Sequence, residues 1–191
     1  ERVVIIPEKF YRTGIPIFAY WKEMRFQVKE GTVRLNIDPA CRILATLTSP
    51  LTAEQKELTR FVDGFDLVGS SSGADILRSI QNCPFSILFL RDLYLDQESA
   101  RIVNNLPKLT ELICFGVRLA PNTAIGSGQI KVLDLRAVEP PTALALIMQK
   151  CPQCQTLKVK EVLLDGAALA AVCRLSRLSK LALMSCNLDD K

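Results

Sequence analysis

Residues 109–119 read LTELICFGVRL, and the spacing of their apolar residues recurs along most of the chain. The apolar positions in this segment are Leu109, Leu112, Cys114, Val117 and Leu119. The two-residue spacing of the central pair places both side chains on one face of a short strand. The segment therefore predicts a β-strand, after which the chain turns back through an apolar interior.

Six copies of this pattern start at residues 62, 85, 109, 130, 154 and 178, with spacings of 23, 24, 21, 24 and 24. Of the 30 template positions 27 are apolar, whereas chance would fill about half of them in a chain of this composition. The exceptions are Ser70, Ser72 and Pro140. One copy cannot bury its apolar face alone, so the pattern predicts stacked units that share a core.

The segments between the copies predict short helices that return the chain to the next strand. They are residues 52–61, 73–82, 96–105, 141–150 and 165–175. Asp96 and Asp165 are predicted N-caps, and Pro141 suits a first helical turn. The 21-residue unit is different, because residues 122–128 contain two glycines and predict a plain loop.

These copies resemble the leucine-rich repeat family over residues 62–190, about two thirds of the chain. The resemblance implies an α/β fold, a leucine-rich repeat solenoid with a curved parallel sheet on its concave face and short helices on its convex face. It also implies that a ligand is captured on the concave face. Return segments that end in Cys-Pro or Leu-Pro resemble the intracellular branches, which include the sensor regions of NOD-like receptors and the substrate-binding halves of F-box proteins. The Asn common at the ninth slot is absent here, which predicts less regular turns.

Residues 1–50 do not follow the repeat, whereas residues 51–191 form the predicted solenoid. Alternating apolar residues in 24–28 and 33–37, around Gly31, predict a β-hairpin. We interpret the segment as a cap over the core of the first repeat; the alternative is a separate small interaction domain. The missing initiator methionine and the lack of a polar helix after the last copy predict a fragment of a longer chain.

Composition narrows the classes of function. The net charge of +4 is mild and no lysine- or arginine-rich run occurs, so nucleic acid is not the expected partner. No apolar run approaches the roughly 20 residues that span a bilayer. Seven cysteines lie mostly inside apolar patterns, and no glycosylation acceptor is present, which favours the cytoplasm. The odd cysteine count by itself also fits an unpaired thiol in a secreted protein.

Candidate catalytic and metal-binding groups are sparse. The chain has no histidine, so it lacks the usual general base, metal ligand and nucleophile partner. Cys151 and Cys154 form a C-x-x-C, which we interpret as core rather than a metal or redox site. The segment 69–73 lacks the Lys of a phosphate-binding loop and predicts a turn. The acidic residues show no paired spacing and are expected on solvated faces. We therefore expect no enzyme activity, no catalytic residue, no metal and no cofactor.

The residues beside the apolar slots are expected to line the concave face. They include an apolar patch that is bordered by two arginines and continues into a series of lysines. Contiguous apolar surface with aromatic and arginine side chains is typical of protein interfaces. The predicted partner-binding residues are Ile87, Phe89, Arg91, Ile113, Phe115, Val132, Arg136, Lys158, Lys160 and Lys180. The alternative is that their own neighbours or the rest of the parent protein cover them.

The sequence thus favours a protein-binding or ligand-sensing module of an intracellular multidomain protein, with innate-immune sensing as the first interpretation. Substrate recognition by an F-box ubiquitin-ligase adaptor is the alternative in the same class. Nucleic-acid binding through the basic stripe at Lys158, Lys160 and Lys180 is an alternative of a different class, and a steep dependence on salt would support it.

Overall fold

The computed structural model describes residues 2–21, 24–30, 34–57, 59–69 and 73–188. Within them the chain forms fifteen strands, six α-helices and a 3₁₀ turn at Thr59–Phe61. The strands are β1 (Arg2–Ile5), β2 (Ile17–Trp21), β3 (Met24–Gln27), β4 (Arg34–Ile37), β5 (Arg42–Leu47), β6 (Gly64–Val68), β7 (Ile87–Arg91), β8 (Tyr94–Leu95), β9 (Glu111–Phe115), β10 (Arg118–Leu119), β11 (Val132–Arg136), β12 (Thr156–Lys160), β13 (Leu163–Leu164), β14 (Lys180–Met184) and β15 (Asn187–Leu188). The helices are α1 (Glu8–Tyr11), α2 (Ala53–Glu57), α3 (Gly73–Ile80), α4 (Gln97–Asn104), α5 (Ala143–Lys150) and α6 (Gly166–Cys173).

Nine strands form one sheet in the order β14-β12-β11-β9-β7-β6-β5-β2-β3. Neighbouring strands from β5 to β14 are parallel, whereas β2 is antiparallel to both β5 and β3. Parallel neighbours need a crossover connection, and the helices α2 to α6 supply most of these crossovers. The protein is a mixed α/β fold with a large, mostly parallel sheet.

The six strands of the copies, β6, β7, β9, β11, β12 and β14, pair in register, so that equivalent positions of the copies lie side by side. Leu112 of β9, for example, pairs with Leu88 of β7 and Leu133 of β11. Because side chains alternate along a strand, these leucines enter the core on the helix side, and each of the three is fully buried. The predicted strand positions are confirmed in every copy.

A left-handed residue follows each of the strands β7, β9, β11, β12 and β14. These residues have φ between 48° and 63° and are Asp92, Gly116, Ala137, Glu161 and Ser185. The backbone N–H of each of the first four donates to the last residue of the next strand in the sheet, as in Asp92 to the Phe115 carbonyl. The same backbone turn therefore repeats in the second to the sixth copy, but not at the described residue after β6.

The predicted return helices are confirmed. Asp96 and Asp165 are N-caps whose carboxylates accept from the backbone N–H groups of Ser99 and Ala168, at 2.8 and 2.7 Å. The first predicted helix is split into α2 and the 3₁₀ turn, and α5 begins at Ala143, two residues after Pro141. Residues 122–128 contain no helix, as predicted.

The pairing predicted within residues 1–50 is wrong. The structure contains both predicted strands, but β3 pairs with β2 and β4 pairs with β1. Alternating apolar residues identify a strand, but they carry no information on which strand is its partner. Gly31, which the prediction placed in the turn, lies outside the described residues.

The first 50 residues are continuous with the rest of the sheet and its core. Pairing of β2 with β5 and of β5 with β6 joins them to the repeated strands. Buried Ile6, Ile17 and Ile43 belong to the same hydrophobic cluster as Leu88 and Leu112. In the described part of the chain, every buried side-chain nitrogen or oxygen has a hydrogen-bond partner.

Candidate binding pocket on the open sheet face

The large sheet carries helices on one face, and we call the other the open sheet face. Its side chains are the alternate residues of the parallel strands, which the in-register pairing arranges in rows. One row contains Asp66, Phe89, Ile113, Asp134 and Lys158. The next contains Val68, Arg91, Phe115, Arg136 and Lys160. Neighbouring strands are about 4.8 Å apart, so adjacent members of a row are in contact range.

A cavity of about 430 Å³ opens on this face. It brings together eight of the ten predicted partner-binding residues, namely Ile87, Phe89, Arg91, Ile113, Phe115, Val132, Arg136 and Lys158. The other cavity residues are Arg25, Ala40, Arg42, Glu111 and Asp134. Lys160 and Lys180 are not part of the lining; Lys160 pairs with Glu161 at 3.4 Å, and Lys180 is exposed.

Ile87 does not belong to an exposed apolar patch, contrary to the prediction, because only 1% of it is accessible. An ion pair at 3.4 Å joins Arg42 of β5 to Glu111 of β9, and β6 and β7 lie between these two strands. The Arg42 side chain therefore extends over the strand that carries Ile87. Gly64 is the neighbour of Ile87 on β6 and has no side chain to obstruct this path.

The apolar floor of the pocket is partly accessible. Phe115 is 43% exposed, and Phe89, Ile113 and Val132 are half-buried. They lie on three adjacent strands, β7, β9 and β11. The predicted apolar patch is therefore present without Ile87.

Asp66 is a fully buried carboxylate at one end of the pocket. Arg91 donates to it through Nε at 2.7 Å and also through Nη2, which makes a bidentate pair. Arg25 from β3 lies 3.7 Å from the same carboxylate, donates to Thr46 at 3.2 Å, and stacks on the Phe18 ring with its guanidinium 3.4 Å from the centroid. The carboxylate thus joins the N-terminal strands to the repeated ones.

Asp134 forms the second such pair. Arg136, on the same strand, donates to its two carboxylate oxygens at 2.9 and 2.7 Å. Asp134 is only 5% exposed, and its neighbour across the ladder is Lys158. The expectation that the acidic residues lie on solvated faces is therefore wrong for Asp66 and Asp134. Both occur inside strand patterns, where an arginine compensates for the burial of each carboxylate. Asp66 receives Arg91 from the neighbouring strand, whereas Arg136 lies two residues after Asp134 on the same strand.

The charge of the pocket is positive. Five cationic side chains line it, from Arg25, Arg42, Arg91, Arg136 and Lys158, against the two carboxylates of Glu111 and Asp134. The buried Asp66 behind Arg91 adds a third negative charge, which leaves a formal excess of +2. Arg25 and Arg42 were not predicted, because they come from the segment outside the repeat and only the pairing of β2 with β5 brings them here.

Burial disfavours the thiolate form of three core cysteines. Cys114, Cys151 and Cys154 are fully buried and unpaired, and burial raises the pKa of Cys151 to about 12 and that of Cys154 above its ordinary value. Their interpretation as core residues is confirmed. Across the described ranges, no three metal-ligating side chains come together. The predicted 69–73 turn spans residues 70–72, which lie outside the described residues.

Comparison with known proteins provides no relative for this chain: no family model, no curated protein and no solved structure matches it. Its helices have at most eight residues in the described ranges, and none could span a membrane. The pocket is therefore interpreted from its own chemistry.

Proposed function

We propose that this chain is an interaction module that binds a protein partner on the open sheet face. The observation that carries the proposal is the pocket of about 430 Å³ in which half-exposed Phe115 and half-buried Phe89 stand beside Arg91 and Arg136. Aromatic and arginine side chains supply most of the binding energy in protein interfaces. A pocket of this kind on a rigid sheet holds such anchors in place before the partner arrives.

We infer that the chain is a leucine-rich repeat solenoid and that this face is its concave surface. The in-register strands, the left-handed residue after each of them and the return helices support this inference. We also infer that residues 1–50 cap the first repeat, since their strands extend the sheet and share its core. The cap does more than shield the core, because it delivers Arg25 and Arg42 to the pocket.

A cytoplasmic setting is part of the proposal. The seven cysteines are free thiols and five of them are buried, which suits a reducing compartment. Innate-immune sensing is our first interpretation of the module and substrate recognition by a ubiquitin-ligase adaptor is the second. Sequencing the transcript upstream of Glu1 would distinguish them, because a nucleotide-binding ATPase region belongs to the first and an F-box to the second.

The double substitution Phe89→Glu with Phe115→Glu tests the binding face. Charged side chains in the floor should abolish partner capture, because two buried carboxylates would have to be desolvated on binding. The proteins retained by the immobilised wild-type chain and by the variant are compared by quantitative mass spectrometry. Far-UV circular dichroism should be unchanged.

The matched control is Leu146→Glu with Leu163→Glu. Both leucines are 39% exposed and lie away from the pocket, on α5 and β13. The control should retain the wild-type set of proteins. If the Phe89 and Phe115 variant also retains that set, the partner does not bind on the open sheet face.

A further inference from the structure

We propose that the pocket accepts an acidic peptide segment with a bulky apolar side chain at its centre. This inference rests on the proposed function and names the chemistry of the partner. It follows from the positions of charged and apolar side chains across the sheet.

The apolar centre of the site is the floor on β7, β9 and β11. The four accessible residues of this floor are Phe89, Ile113, Phe115 and Val132. A cavity of about 430 Å³ is in the size range of sites that enclose a small ligand. It therefore has room for one large side chain of a partner, which would cover the exposed part of Phe115.

Cations flank this floor on both sides. Arg42 and Arg91 lie towards the β5 side, whereas Arg136 and Lys158 lie on β11 and β12. Five strand spacings separate β5 from β12, a distance of about 24 Å at roughly 4.8 Å each. An extended peptide rises about 3.3 Å per residue, so about seven residues cross the site. Acidic residues two or three positions before and after the apolar one would then meet the cations.

Two of these cations are held in place before a ligand binds. Bidentate pairing to Asp66 and Asp134 fixes the planes of the Arg91 and Arg136 guanidinium groups. A side chain that is already ordered loses less entropy on binding than a mobile one. Because the three carboxylates neutralise only part of the positive charge, the excess of +2 still attracts an anionic segment.

The same observations favour a peptide over a nucleic acid. Glu111 and Asp134 line the pocket and would repel a continuous row of phosphates. The cations surround one apolar cavity, while Lys160 outside it is paired with Glu161. An acidic peptide can place its few carboxylates beside the cations and its apolar residue on the floor.

A display library of random twelve-residue peptides, selected against the full chain, tests the proposal. Enriched peptides should combine a bulky apolar residue with Asp or Glu on both sides of it. Binding of a synthetic enriched peptide is then measured by fluorescence anisotropy. The double substitution Arg42→Gln with Lys158→Gln should weaken it about tenfold, and added NaCl should weaken it as well. These two positions avoid the arginines that neutralise buried Asp66 and Asp134.

The matched control is Lys56→Gln with Lys150→Gln, which removes the same net charge at exposed positions on helices α2 and α5, outside the pocket. It should change the peptide affinity less than about twofold, because surface charges beyond a Debye length are screened. The proposal would be overturned if both double variants weakened peptide binding equally. It would also be overturned if the selection enriched no peptide.

Two further outcomes separate this inference from the proposed function. The enriched peptides could be neutral or basic, bind the wild type and lose binding with Phe89→Glu and Phe115→Glu. That result would overturn the acidic character of the partner and support the open sheet face as the binding site. Acidic peptides that tolerate the Phe substitutions would overturn both. An oligonucleotide that binds more tightly than the acidic peptide, and loses affinity with Arg42→Gln and Lys158→Gln, would replace the peptide as ligand.

Discussion

Gly64 lies on β6 directly against the backbone of Ile87 on β7. A Cβ atom at this position would lie 2.0 Å from the carbonyl oxygen of Ile87 and 2.8 Å from its Cβ. The nearest obstacle is backbone, so the conflict cannot be relieved by a change of rotamer. The glycine also leaves the space over which Arg42 reaches Glu111.

We therefore expect Gly64→Ala to destabilise the protein by about 2 kcal/mol or more, because it overpacks a rigid sheet. Urea unfolding followed by circular dichroism measures the change. Gly166→Ala is the control, since nothing lies within 4 Å of a Cβ there and alanine favours the helix. Equal stability of the Gly64 variant and the wild type would show that β6 and β7 can separate without cost.

Asp66 connects the two parts of the sheet through Arg91 and Arg25. Asp66→Asn removes the negative charge from a fully buried position, so the guanidinium groups of Arg91 and Arg25 lose their shared carboxylate. We expect a loss of about 3 kcal/mol, the cost of breaking a buried ion pair from one side. Thermal and urea unfolding report this change in stability.

The comparison for Asp66 is Glu161→Gln, which disrupts an exposed pair with Lys160 at 3.4 Å. Exposed pairs contribute about 1 kcal/mol or less, so this control should have little effect. Similar stability losses in the two variants would contradict a special role for the Asp66 cluster.

Helix α4 begins at an N-cap that titrates. The backbone N–H of Ser99 donates to the Asp96 carboxylate, and this hydrogen bond holds the pKa of Asp96 below its ordinary value of 3.8. Because the folded-state pKa is lowered, the contribution of ionised Asp96 to stability is complete above the unfolded pKa. It is lost as the pH falls through the folded pKa.

Asp96→Ala should lower the free energy of unfolding by about 1 kcal/mol at pH 7. Asp96→Asn should lower it by only a few tenths of a kcal/mol, because the amide oxygen still accepts the hydrogen bond. The difference in stability between wild type and Asp96→Asn should shrink as the pH falls below about 4. Urea unfolding at several pH values measures it. A difference that stays constant down to pH 2 would exclude a role for the charge.

The elements also differ in how well their position and conformation can be predicted from their own sequence. The strands β6, β7, β9, β11, β12 and β14 and the helices α3 to α6 follow local patterns, so their positions could be predicted to within a few residues. The left-handed turns could not, because Asp92, Ala137, Glu161 and Ser185 share no residue type. In the turns at Asp92, Ala137 and Glu161, the hydrogen bond to the next strand imposes the conformation and overrides the preference of the individual side chain.

Stacking of units makes burial depend on position in the sheet. Leu133 and Leu181 occupy the same slot of the repeat, but Leu133 is fully buried and Leu181 is 49% exposed. Leu133 lies on β11, between β9 and β12, whereas Leu181 lies on β14 at the end of the sheet order. A core residue of one unit is covered by the units on both sides of it.

Leu133→Ala should therefore cost about 3 kcal/mol, through lost burial and the cavity left behind. Leu181→Ala is the matched variant and should cost less than about 1 kcal/mol, because its side chain already contacts solvent. Urea unfolding of both variants makes the comparison. Equal losses would mean that an additional surface covers Leu181 in solution.

The sequence by itself determined the repeating strands, the helices between them and the side of each strand that faces the core. It also identified most of the pocket, since Phe89, Ile113, Phe115 and Val132 lie at regular positions of the pattern. These features were accessible because the hydrophobic effect acts on the spacing of apolar residues within each unit.

Only the tertiary structure decided the pairing of the first four strands, the burial of Ile87 and the arrangement of charges in the pocket. Each depends on contacts between residues far apart in the chain, such as Arg42 with Glu111 and Arg25 with Asp66. No local pattern encodes these contacts, because a buried carboxylate needs an arginine nearby in space and not at any fixed distance along the sequence.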